Sequence, residues 1–144
     1  MTYNRYATHS VHSLTAHIVW STKYRRIVLR GEIQLRARDL IKQICDANDV
    51  KILKGVVSGD HIHMHVSYPP KMPISELVRR IKGRTGRKLL QEYPHLKKVY
   101  WGGHFWGIGY GVWSSGNITD AQIDEYFEHH RHDQRNGSDT FILE

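Results

Sequence analysis

The stretch Asp60-His61-Ile62-His63-Met64-His65-Val66-Ser67-Tyr68 places an imidazole at every second position. On a β-strand, successive side chains point to opposite faces. Ile62, Met64, Val66 and Tyr68 then line a core face, while His61, His63, His65 and Ser67 line the other. Imidazole is the commonest metal-ligating side chain, and a His-x-His step lets two rings reach one ion. The triplet alone is compatible with a metal site and with a solvated, His-rich strand face. Far downstream, Tyr126 and His130 stand one helical turn apart, with Ile123 and Phe127 flanking them. In isolation these two read as a core tyrosine and a surface histidine. Combined with the strand, they could assemble three imidazoles around a divalent ion beside a phenol. Such a site suits phosphoryl transfer with tyrosine as the nucleophile and the ion as a Lewis acid. A phenol with a pKa of about 10 needs a base or a nearby cation to attack at neutral pH. His129 is the adjacent candidate for that base.

These groups must be brought together by the intervening elements. Leu14, Ala16, Ile18 and Trp20 alternate with Ser13, Thr15, His17 and Val19, which predicts a half-buried strand. A basic loop, Lys23-Tyr24-Arg25-Arg26, follows. Ile33, Ala37, Leu40, Ile41 and Ile44 recur at helical spacing and predict an amphipathic helix ending at Asn48-Asp49. Val50 to Val57 is a second strand, and Ser58-Gly59-Asp60 turns it into the histidine strand as a hairpin that Pro69-Pro70 stops. Ser75 is placed to cap a second helix with Leu77, Ile81, Thr85 and Leu89 facing inward. Residues 95 to 105 read as an irregular connection. Trp106, Ile108, Tyr110 and Val112 alternate with Gly107, Gly109 and Gly111, predicting a strand with one bulky and one bare face. The bare face allows either close approach of a helix or nucleic-acid backbone, or a bend in the strand. After a small polar linker, Ser114 to Asn117, Thr119 and Gln122 form a capping box for a last helix, with Ile118 and Ile123 as its staple. The order strand, helix, strand, strand, helix, strand is the split βαβ, ferredoxin-like arrangement. It is an α+β fold: a four-stranded antiparallel sheet with two helices on one face, plus a C-terminal helix carrying the tyrosine. His61 and His63 then lie on the face opposite the two helices. One domain spans residues 1–133, and residues 134–144 read as a loose tail.

The 144 residues suffice for one domain with a real core. No apolar run reaches membrane-spanning length, and the polar, aromatic N-terminus has no signal-peptide pattern. Cys45 is the single cysteine, which excludes an intrachain disulfide and favours a reducing cytoplasm. The formal net charge of +7 favours polyanionic partners, nucleic acid first and an anionic membrane surface second. Arg79, Arg80, Lys82, Arg84, Arg87 and Lys88 crowd the second predicted helix away from its apolar stripe, and Lys23, Arg25 and Arg26 form a second cluster. Density of one sign, with Gly83 and Gly86 interspersed, favours phosphate contact over a merely solvated face. Tyr100, Trp101, Phe105, Trp106 and Trp113 are candidates for stacking unpaired bases, although Trp106 and Tyr110 share a face with Ile108 and are assigned to packing.

From about Val11 to Asp133 the chain resembles the single-tyrosine HUH transposases of small prokaryotic insertion sequences, including relatives associated with repetitive extragenic palindromes. The matching segments are His17-Ile18-Val19-Trp20 with Lys23-Tyr24-Arg25-Arg26, and Gly59-Asp60-His61-Ile62-His63 running to Pro69-Pro70. Further on come Lys82-Gly83-Arg84, Trp106 with Gly109-Tyr110, Ser115-Gly116, and Tyr126-Phe127-Glu128 leading to His130. The resemblance implies a metal-dependent transesterase acting on single-stranded DNA, at hairpin ends of a mobile element, through a 5′-phosphotyrosine link. It assigns the nucleophile to Tyr126 and metal ligation to His61, His63 and His130. His130 stands where the family often has glutamine, and His65 where an apolar residue is usual, which makes His65 a supporting or incidental group. Relatives use magnesium or manganese, whereas three imidazoles lean toward softer ions. The family forms homodimers in which the tyrosine helix can serve the partner's histidines. Two other readings stand beside this one: a non-catalytic or domesticated nucleic-acid-binding module on the same fold, and a metallohydrolase that leaves Tyr126 dispensable.

Overall fold

The computed structural model describes residues 4–6, 9–114, 120–129 and 141–143. A short ribbon of β1 (Arg5–Tyr6) and β2 (Val11–His12) precedes β3 (Thr15–Ser21). Helix α1 (Gly31–Ala47) buries Ile33, Ala37, Leu40, Ile41 and Ile44, the stripe that its spacing predicts. β4 (Lys51–Val57) and β5 (His61–Ser67) form the expected hairpin, with the Ser58 amide donating to the His61 carbonyl at 2.9 Å. Helix α2 (Ile74–Glu92) follows, then β6 (Gly111–Trp113), α3 (Asp120–His129) and β7 (Phe141–Leu143).

The main sheet runs β6-β3-β5-β4-β7, with every neighbouring pair antiparallel. Without its last strand this is the ferredoxin-like order. Ile18 and Trp20 of β3 and Ile62, Met64 and Val66 of β5 are fully buried against α1 and α2. Each such side chain contributes roughly 1.5–3 kcal/mol through burial. The period-2 alternation therefore sends His61, His63 and His65 to the opposite face. Cys45 belongs to the core, where burial pushes its thiol up to about 12, so it packs and is no nucleophile. Among the described residues no helix is long and apolar enough to cross a membrane.

Three local expectations change. Pro73, not Ser75, occupies the cap position of α2; it presents no side-chain acceptor, and Ser75 lies inside the first turn. The predicted strand from Trp106 to Val112 is extended only at its end. Trp106 bridges singly to Thr22, Gly109 turns to φ +89°, and Ile108 stands 99% exposed rather than sharing a buried face with Trp106. The cause is a tether: the Lys82 ammonium donates to the Gly107 carbonyl at 2.7 Å and the Gly109 carbonyl at 3.0 Å, curling this segment toward α2. Finally, Phe141–Leu143, within the expected loose tail, pairs with Gly55–Val57. A run of three apolar residues covers the otherwise open edge of β4. The Ser115-Gly116 motif, the Thr119 capping box and His130 lie outside the described residues.

Candidate active site on the outer sheet face

The outer face is built by register. In the β3–β5 ladder, Ser21 opposes His61, Val19 opposes His63 and His17 opposes His65. The His17 and His65 rings stack with centroids 4.0 Å apart and planes 6° from parallel. His17 Nδ1 lies 3.1 Å from His63 Nε2, a hydrogen bond whose donor depends on tautomer. The site thus holds a fourth imidazole, one that the sequence places on an alternating strand and in a matching motif but gives no role. Burial, and secondarily the charge of His17, lowers the His65 pKa from its ordinary 6.5. That favours a neutral His65 ring at pH 7.

His61 is oriented from the hairpin turn. Its Nδ1 is 2.9 Å from the Asp60 carboxylate, and the second Asp60 oxygen accepts from Arg25 at 2.9 Å. Asp60 is almost wholly buried. Burial alone would raise its pKa, but the His61 hydrogen bond and the Arg25 guanidinium outweigh that and hold it below its ordinary 3.8. With Nδ1 donating to Asp60, the neutral ring presents its lone pair at Nε2. A carboxylate behind a histidine is the usual outer support of a metal ligand. The sequence places Asp60 in the turn and in the matching motif, directly before the His-x-His strand, but assigns it no role; the folded hairpin sets its carboxylate behind His61. Replacing it with Asn should weaken metal affinity, read by calorimetry with Mn²⁺, by about 10–100-fold. The same change should cost about 2 kcal/mol of stability at neutral pH. Because the folded carboxyl titrates low, the wild-type advantage should be complete above about pH 4 and disappear as pH falls through the depressed value. Urea melts of both proteins across that range check it.

Tyr126 reaches the same face from α3. It packs on Val19 and meets Trp113 edge-on, with centroids 6.4 Å apart. Gly111 makes room: a Cβ there would stand 2.7 Å from Trp113 and 3.1 Å from Tyr126. Of the two readings of the bare glycine face, close helix approach therefore holds at this position. Burial raises the phenol above its ordinary 10. A small pocket of about 150 Å³ joins Tyr126 to Ser21, Thr22, Lys23, Tyr24, Arg25, Gly107 and Ile108. Lys23 and Arg25 bring cationic side chains to the lining of that pocket.

The donor set suits a divalent cation: two same-face imidazoles, one with its tautomer set by a carboxylate. Among the described residues no group of three or more His, Cys, Asp or Glu is placed to hold one. The third expected ligand, His130, lies outside the description.

The expected DNA-binding cations divide between two surfaces. Lys23, Arg25 and Arg26 sit on the turn beside Tyr126, where Arg25 is engaged by Asp60. Arg79, Arg80, Arg84 and Arg87 line a groove of about 620 Å³ against the C-terminal end of α1, remote from the histidines. Glu76 grips both Arg79 and Arg80, and Arg80 also reaches Asn48. Lys82 serves as the loop tether, and Lys88 is partly buried. Of the proposed stacking aromatics, Tyr100, Phe105 and Trp106 are core residues, the last donating its indole N–H to Thr85 at 2.8 Å. Trp101 is 89% exposed, and Trp113 packs against Tyr126.

A ferredoxin-like sheet bearing a His-x-His strand and a tyrosine helix on one face defines the class of molecule. Residues 10–130 match the IS200-like transposase family model. The chain is 34% identical over 118 residues to the ISDra2 transposase TnpA of Deinococcus radiodurans, covering 82% of this chain and 84% of that protein. It is 33% identical over 126 residues to the transposase of insertion sequence IS200 from Salmonella typhimurium, covering 88% and 82%. A crystal structure of a Deinococcus radiodurans protein described as a transposase superposes with a TM-score of 0.81 at 31% identity, over 88% of this chain and 98% of that one. A REP-associated tyrosine transposase bound to a REP hairpin shares the fold, with a TM-score of 0.54 at 19% identity over 88% and 67%. The chain belongs to the IS200-like transposase family.

Proposed function

We propose that this transposase cuts and rejoins single-stranded DNA by transesterification through Tyr126, with a divalent metal ion held by His61, His63 and His130. One observation carries the reading: Tyr126 is seated on Val19, the residue directly opposite His63 in the β3–β5 ladder. A phenol and the His-x-His pair therefore share one patch of sheet. The phenol gives up its proton to water as its oxygen bonds to phosphorus; the bond from phosphorus to the 3′ oxygen breaks in line, and that oxygen takes up a proton from water, leaving a 5′-phosphotyrosine and a 3′-hydroxyl. Reverse attack by a 3′-hydroxyl on that link rejoins the strand and regenerates the phenol. When bound, the ion supplies a Lewis acid for a non-bridging phosphate oxygen. His61 would ligate through Nε2, since Asp60 takes the Nδ1 proton, and His63 would do so in competition with His17 for its Nε2 lone pair.

Lys23, Arg26 and the exposed arginines of α2 supply phosphate contacts. The hairpin-bound transposase of similar fold is consistent with a hairpin-ended substrate. A homodimer, as the sequence resemblance implies, belongs to the same reading. The test uses labelled single strands spanning the DNA on either side of the gene encoding this chain. With Mg²⁺ or Mn²⁺, a denaturing gel should show a covalent protein–DNA band that is lost with EDTA or with duplex DNA. Binding with no such band would favour the non-catalytic module. Cleavage without a covalent band would favour a metallohydrolase.

A further inference from the structure

The turn at residues 22–26 is built at a conformational cost that the fold does not require. Tyr24 adopts φ 60°, ψ 15°, and Arg25 follows at φ 50°. Two successive non-glycine residues in the left-handed region are strained, and tyrosine is among the side chains that tolerate it least. Glycine or asparagine would close such a turn more cheaply. Heavy pinning maintains the strain. The buried Thr22 hydroxyl lies 2.7 Å from the Arg26 carbonyl and 3.2 Å from that of Asp60. The Thr22 amide donates to the Asp60 carbonyl, and the Lys23 amide to that of Phe105, both at 2.9 Å. Arg25 is clamped by Asp60.

The pinned turn puts an aromatic ring outside. Tyr24 is 49% exposed, with Lys23 Nζ 5.3 Å and the Arg26 guanidinium 6.0 Å from its ring centroid. It lines the same small pocket as Tyr126. A flat ring beside two cations, lining one pocket with Tyr126, has the chemistry of a single-strand stacking platform. Strain held at such a position points to function.

We propose that Tyr24 stacks on a nucleobase adjoining the phosphate that Tyr126 attacks, with Lys23 and Arg26 holding the neighbouring phosphates. This rests on the transesterase reading for its second partner, and it adds a residue that positions the strand. Single 2-aminopurine substitutions walked through the cleaved oligonucleotide read the stacking directly as quenching on binding. In the wild type, quenching should peak at one nucleotide within two of the cleaved bond. Tyr24→Ala should abolish that peak and reduce cleavage kcat/KM roughly 10-fold, with Tyr24→Trp restoring both. An abasic residue at the peak position should impose the same loss on the wild type and none further on Tyr24→Ala. Tyr24→Gly, which relieves the left-handed strain, should keep or raise Tm while losing the peak. Equal quenching by wild type and Tyr24→Ala, or an equal further loss on the abasic strand, would overturn the proposal. Should the wild type form no covalent band with any strand, the chemical reading fails separately. Oligothymidine carrying one 2-aminopurine then judges stacking, and quenching that survives Tyr24→Ala sinks it.

Discussion

Tyr126→Phe should abolish covalent protein–DNA complexes while leaving strand binding within about two-fold of wild type. The substitution removes one oxygen and keeps the ring. The contacts with Val19 and Trp113 and the room left by Gly111 are made by that ring, so α3 should stay seated. In the proposed reaction the lost oxygen is the atom that bonds to phosphorus, and no rearrangement of a phenyl ring can replace it. A fall of at least about 10⁴-fold in covalent complex is expected, the scale seen when a nucleophile is deleted. The Tm should change little, because the ring keeps its packing on Val19 and Trp113. A phenylalanine variant that still cross-links to DNA would move the nucleophile elsewhere. The raised phenol pKa adds a pH signature. Deprotonation is disfavoured at neutral pH, so the wild-type rate should climb with pH through the neutral range until another step limits it.

His63→Ala should be almost as damaging. It removes one of the two imidazoles of the His-x-His pair and the hydrogen-bond partner of His17. Losing a Lewis acid worth several kcal/mol of transition-state stabilisation corresponds to about 10³-fold in rate. His61→Ala should behave alike and should also leave Asp60 without one of its two side-chain partners. Binding of single strands should persist in both, because the cations of the 22–26 turn and α2 are untouched. Mixing Tyr126→Phe chains with His63→Ala chains then tells how the site is assembled. Recovery of activity in the mixture means that the tyrosine serves the partner's histidines. No recovery means that the packing of Tyr126 on its own chain's sheet is the working arrangement.

The sheet and both covering helices were legible because their apolar residues repeat with clean periods, from Ile33 to Ile44, Leu77 to Leu89 and Ile62 to Val66. The same period placed His61 and His63 on the outer face. The segment from Trp106 to Tyr110 misled because its alternation is genuine in sequence, yet Lys82, more than 20 residues earlier, captures two of its carbonyls. A long-range hydrogen bond leaves no local pattern. The same contact explains why Lys82, read as a phosphate ligand, spends its ammonium on the protein. His17 was hidden for a related reason: its partner lies 46 residues away, and only strand register sets the two rings together. Asp60 looked like a turn residue, and its burial between His61 and Arg25 arises only in the folded hairpin. The resemblance of motif order strengthened the expectation that the tyrosine helix and the histidine strand form one site, and Tyr126 does pack on Val19, opposite His63.

The most direct measurement is peptide mapping of the trapped covalent complex by mass spectrometry after nuclease and protease digestion. The account predicts a single modified peptide with a 5′-linked nucleotide phosphate on Tyr126, formed only with divalent metal. A nucleotide attached to any other side chain, or strand cleavage that leaves no modified peptide, would contradict it.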